Sequence, residues 1–150
     1  MGSDFYETID IILNDENNSL YFIDYFIFLI NDYPNIINIY NDSYLPVYFY
    51  YLNRLDISHL ILNKVFEHFS TNLIALHIYI NDLISDIMAI NSNRSTINDL
   101  NNLIKLLDFI GENINKLNNL MFYNTRSIIE RLKTVYRKLI SSKESSQNEI

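Results

Sequence analysis

The residues that could do chemistry begin with three histidines. His59, His68 and His77 stand nine apart in "DISHLILNKVFEHFSTNLIALHIYIND", residues 56–82. A shared metal ion would be their chemistry. A helical metal pair uses a spacing of three or four, as in His-Glu-x-x-His. Nine residues is about two and a half turns, which sends His59 and His68 to opposite faces of a helix. His77 lies beyond a break expected at Ser70–Thr71. The spacing therefore predicts no metal site. Each histidine is expected to be half-buried or on the surface, with His68 near a helix C-terminus, where the dipole favours it.

Paired carboxylates come next. Asp82 and Asp86 share a helix face, as do Glu7 and Asp10. No third group is placed to orient either pair for acid–base work, so a solvated surface is expected. The serines form no nucleophile elbow. The only glycines are Gly2 and Gly111, which excludes a glycine-rich phosphate loop. There is no cysteine, hence no disulfide framework, thiolate zinc site or cysteine nucleophile, and a reducing compartment is the natural reading. The net charge of −7 argues against nucleic acid, whose phosphates require clustered Lys and Arg. The reading is of a non-enzyme with no cofactor and no metal.

Aromatic residues are the more informative chemistry. Twelve tyrosines and nine phenylalanines exceed the needs of a small core. Tyrosine suits interfaces because its ring buries area while its hydroxyl stays wet. The densest patch, "VYFYYLNR", makes Tyr48, Tyr50 and Tyr51 candidate interface residues. Core filling by a tyrosine-biased composition is the other reading.

These residues need elements to position them. Nearly half the chain is apolar, with two glycines and two prolines, so long helices fit better than many strands. Turns must then be made by Asn, Asp and Ser. Isoleucine and asparagine are over-used, which suggests an A/T-rich genome. The apolar period predicts a first helix over 4–13. Ser19 then caps "LYFIDYFIFLI", which is apolar almost all round. That run is about half a membrane span and holds Asp24, so a buried helix is expected and no membrane span. Asp32 and Pro34 start a short segment through Tyr40, and "VYFYYLNRL" forms the next helix. Asp56 caps "ISHLILNKVFEHF", Ser70 or Thr71 opens another helix, and Asn81 or Asp82 starts "DLISDIMAI". After the loop "NSNRS", Ser95 or Thr96 begins a long helix to about Leu117, with Gly111 inside it.

A last amphipathic helix, near Thr125 to Ile140, carries five of the eleven basic residues. They are expected to form a salt-bridged outer face, with contact to an acidic partner as the alternative. One helical domain over 1–140 is predicted, with "MGS" as a tag scar and 141–150 as a disordered polar tail without an apolar anchor.

The helix order resembles the poxvirus Bcl-2-like proteins. "YFYYLNR" looks like that family's aromatic first-helix signature, and "NKVFEHFSTNLIALHIYINDLISDIMAI" resembles the helices that follow. Looser similarity runs through "LIKLLDFIGENINKLNN" to "RLKTVYRKLI". The Asn-Trp-Gly-Arg signature of Bcl-2 proteins is missing, since the chain has no Trp. If "VYFYYLNR" is the first helix, residues 1–44 are an extra helical segment; if "YFIDYFIFLI" is, the middle is re-registered.

The resemblance implies a compact all-α bundle around a central hydrophobic helix near residues 97–117. It implies a protein of the host-cell cytoplasm that binds host signalling proteins and damps innate signalling of the NF-κB type. Sequestration of pro-death BH3 helices in a groove is the alternative, and a homodimer is a further partner class. By position the groove would be lined by Leu62, Phe66, Phe69 and Leu73, with Leu103 and Leu107 from the long helix. A helical scaffold protein outside the family is the third reading.

Overall fold

With so few glycines and prolines, the helices must be ended by other residues, and the computed structural model shows how. It describes residues 6–7, 11, 19–35 and 38–148. Six α-helices run through the described residues, with no strand among them: α1 (Ser19–Asp32), α2 (Leu45–Tyr51), α3 (Leu55–His68), α4 (Leu73–Met88), α5 (Ile97–Leu117) and α6 (Tyr123–Asn148). The protein is an all-α helical bundle.

Helix α1 buries Ile23, Phe26 and Ile30, spaced at one face of a 3.6-residue period, and Pro34 follows its end. Helix α2 has Pro46 in its first turn, and every residue from Leu45 to Tyr50 is buried. Asn53 then turns the chain with φ 58°, a left-handed conformation that asparagine tolerates. Ser58 of α3 is buried, and its hydroxyl donates to the Pro46 carbonyl at 2.6 Å, tying α3 to α2.

Asn72 caps α4 by accepting the Ala75 N–H at 3.2 Å. Helix α5 opens with a reciprocal capping box. The Thr96 hydroxyl accepts the Asp99 N–H, and the Asp99 carboxylate accepts the Thr96 N–H, both at 3.0 Å. Asn118 ends α5 with φ 46°. Helices α5 and α6 pack together, α3 packs on α5 and α2, and α1 packs on α3. Lys133 of α6 is largely buried and reaches Asp108 of α5 at 2.7 Å and Glu130 at 3.0 Å.

Several boundaries differ from the sequence expectations. The predicted first helix, 4–13, lies outside the described residues apart from positions 6, 7 and 11. Residues 38–41 form a turn, with Asn38 at φ 53°, where a short helical segment was expected. No new helix starts at Asn81 or Asp82. Leu76, Ile80, Leu83 and Ile87 keep one buried face through that point, so α4 runs on unbroken. Residues 141–148 are helical, not a disordered tail. No glycine or proline interrupts α6 there, and the Lys143 ammonium donates to the Asn93 carbonyl at 3.0 Å.

The helix expected at 97–117 is α5, and it lies between α3 and α6. It gives Leu100, Leu103, Leu106, Leu107, Ile110 and Ile114 to the core. Its opposite face, with Asn98, Asn101, Lys105 and Glu112, is exposed, so the helix is amphipathic and not enclosed on all sides.

Gly111 has no left-handed backbone to justify it. A Cβ there would meet Ile129 Cγ2 at 3.8 Å, an ordinary contact. Gly111→Ala is therefore expected to stabilise the protein by about 0.5–1 kcal/mol, by helix propensity alone. Urea unfolding of the two proteins measures it, and a destabilised variant would contradict the packing described here.

Candidate functional site

The three histidines, two on α3 and one on α4, each lie against a different aromatic ring. His59 stacks on Phe109 at 4.3 Å and 7°. His68, in the last turn of α3, stacks on Tyr40 at 3.7 Å and 11°. His77 meets the edge of Phe122 at 5.5 Å, and its Nε2 lies 3.1 Å from the Asn81 amide nitrogen. Among the described residues no group of three or more His, Asp or Glu is placed to hold a metal ion.

His59 has a consequence for stability. Its Nε2 is buried and has no hydrogen-bond partner among the described residues. Burial pushes the imidazole pKa below its ordinary value, against the opposite pull of Asp56 and Glu112. The unfolded chain then binds a proton more readily than the folded one. Stability is lost as pH falls through the unfolded value, about 6.5, toward the lowered folded value. Asp86 works in the other direction at lower pH, because its carboxyl is raised and folding favours its protonated form. The urea midpoint is expected to fall between pH 7.5 and 5.5. His59→Phe, which keeps the stack on Phe109, is expected to flatten that slope; an unchanged slope would remove His59 as its cause.

The candidate groove residues do not converge. Leu62, Leu103 and Leu107 are fully buried in the core and present no surface to a partner. Phe66, Phe69 and Leu73 are half-buried and pack against that core. Tyr48 and Tyr50 of the aromatic patch are buried as well; the Tyr50 hydroxyl donates to the Asp99 carbonyl at 3.1 Å. Tyr51 is 55% exposed and, with Tyr50 and Arg94, lines a shallow depression at the start of α5.

Phe69 does line a groove, but with different neighbours. This depression of about 290 Å³ runs between α4 and the 40–43 turn. Ala75, Ile78, Tyr79 and Asp82 form one wall, at helical spacing along two turns of α4. Tyr40, Asn41 and Ser43 form the other. Asp42 holds that turn in place. It accepts the Tyr6 hydroxyl at 2.5 Å and the Tyr44 N–H at 3.1 Å, and its carbonyl accepts the Tyr79 hydroxyl at 3.5 Å. Burial raises the pKa of both the Tyr6 and Tyr79 hydroxyls, with the Asp42 charge adding to it, so they remain donors.

Beside the groove, α4 carries a bare apolar ridge: Ile74 is 66% exposed and Ile78 is 58% exposed. On the far flank of α4, the short turn Leu120–Phe122 is anchored by the buried Phe122 against His77. The Thr125 hydroxyl donates to Asn81 Oδ1 at 2.9 Å, fixing the start of α6 to the same flank. Next to the anchor, Leu120 is 86% exposed and Tyr123 is 66% exposed. Groove, ridge and turn thus lie side by side around one helix.

Sequence reasoning missed this ridge. Its signal was there: Ile74 and Ile78, four apart, lie off the stripe of Leu76, Ile80, Leu83 and Ile87 that the core uses. Among the described residues, no helix is long and apolar enough to cross a membrane. The architecture defines an all-α bundle with an apolar face around α4. Compared with known proteins, the chain matches no family model, and no curated protein or solved structure is significantly similar to it.

Proposed function

We propose that the protein works by binding another protein through the α4 face, without catalysis. The observation that carries this reading is the exposed pair Ile74 and Ile78, flanked by an aromatic groove on one side and Leu120 and Tyr123 on the other. Exposed apolar side chains gathered around one element mark interaction sites more often than isolated ones do. Taken with the resemblance to poxvirus Bcl-2-like proteins, the reading is an inhibitor of host innate signalling, of the NF-κB type, acting in the host-cell cytoplasm. Helix-bundle surfaces of this kind recognise partners through apolar anchors rather than through reacting groups.

An NF-κB reporter assay, paired with affinity capture of pathway components, tests it. The wild-type chain is expected to suppress the reporter and retain a component, and Ile78→Asp is expected to lose both while keeping its thermal unfolding profile. An unsuppressed reporter with no captured component overturns the reading. The groove at Phe69 supports sequestration of BH3 helices as the second reading; calorimetry with a panel of BH3 peptides separates the two, and no heat at tens of micromolar removes it.

A further inference from the structure

The groove between α4 and the 40–43 turn has a chemical polarity that selects among partners. Its walls carry ring and alkyl surface from Tyr40, Phe69, Ala75, Ile78 and Tyr79, with Asn41, Ser43 and Asp82 as the polar part of the lining. Asp86 stands one turn further along α4. Burial raises its carboxyl pKa first, and the charges of Asp82 and Asp42 raise it further, which places the three carboxylates within each other's field. Among the described residues, no Lys or Arg forms an ion pair with any of them. Of the exposed basic side chains, Arg94 precedes α5, Lys105 and Lys116 are on α5, and Arg131, Arg137 and Lys138 are on α6; α4 itself carries none. Like charges held together without a counter-charge favour an arriving cation and repel an arriving anion.

Resting on the reading of the α4 face as a binding surface, we infer that this groove takes a cationic amphipathic helix of a partner protein. Its apolar side chains lie over Phe69 and Ile78, and its Lys or Arg edge faces Asp82 and Asp86. The length fits, since the α4 wall from Ala75 to Asp82 rises about 10 Å, two turns of a facing helix. A helix is the better match than an extended strand. Among the described residues there is no sheet edge to supply main-chain hydrogen bonds, so side-chain anchors must carry the contact. An acidic helix of the same apolar pattern would meet the carboxylates and be rejected.

Fluorescence anisotropy with the full chain tests this, using two synthetic 18-residue probes, a Leu/Lys amphipathic helix and its Leu/Glu counterpart. The Lys probe is expected to bind at least about tenfold tighter than the Glu probe, and salt is expected to weaken it. The double variant Asp82→Lys, Asp86→Lys is expected to weaken the Lys probe by about tenfold or more. The double variant Glu112→Lys, Glu144→Lys makes the same change in net charge away from the groove and is expected to leave binding nearly unchanged. Equal losses in the two double variants would reduce the effect to overall charge and overturn the inference. Self-association abolished by Asp82→Lys, Asp86→Lys would also overturn it, by making a second copy the occupant. If neither probe binds while Ile78→Asp still abolishes capture of a pathway component, the cationic helix is wrong and the α4 binding face stands. If both measurements fail, both readings fall.

Discussion

Truncating Phe122 to alanine is expected to lower the unfolding free energy by about 3–5 kcal/mol, the cost of emptying a buried phenylalanine site. Phe122 is fully buried, yet its neighbours Leu120 and Tyr123 are mostly in water. One ring therefore holds a turn whose other side chains contribute little to the core. That turn joins α5 to α6, and the ring meets His77 of α4. Collapse around the missing ring is hindered because the turn is fixed on both sides. Asn119 accepts the Met121 N–H at 2.9 Å, and Thr125 is bonded to Asn81. The measurement is the urea midpoint and slope of Phe122→Ala against wild type. A loss below about 1 kcal/mol would mean that the turn is not seated as described.

The second large effect concerns a residue that sequence position offered as groove lining. Leu107→Ala is expected to cost about 2–5 kcal/mol, because Leu107 sits in the centre of the core contributed by α5. Phe69→Ala is expected to cost much less in stability, since half-buried Phe69 already lines an open groove, and to weaken binding at the α4 face instead. Thermal unfolding and partner capture on both variants separate core from surface. A Leu107→Ala protein of unchanged stability with impaired binding would restore Leu107 to a groove.

The contrast shows what was legible. The all-α class followed from apolar residues at helical spacing and from the scarcity of glycine and proline. The start of α5 was readable as Ser95 or Thr96, both competent caps, and the reciprocal bonds between Thr96 and Asp99 select Thr96. The start of α4 was expected at Ser70 or Thr71, and the helix instead begins after Asn72, whose side chain accepts the Ala75 N–H. The polar pair Asn81–Asp82 suggested a break, but the core stripe passes through it and Asn81 is turned to Thr125. Most of the site was not legible for a related reason. Periodicity tells which residues share a face. It does not tell which apolar face another segment will cover. Leu103 and Ile78 are both apolar helix residues. One is sealed beneath neighbouring helices, and the other faces a turn that meets α4 only in the folded chain.

Three asparagines, Asn38, Asn53 and Asn118, hold the left-handed backbone positions among the described residues, and no glycine does. Glycine codons are rich in G, whereas asparagine codons can be built almost wholly from A and T. A lineage under strong nucleotide bias can thus keep its chain reversals by using an amino acid that its codon supply favours, at a modest conformational cost. The bend positions of this fold thus call for asparagine where another chain would place glycine.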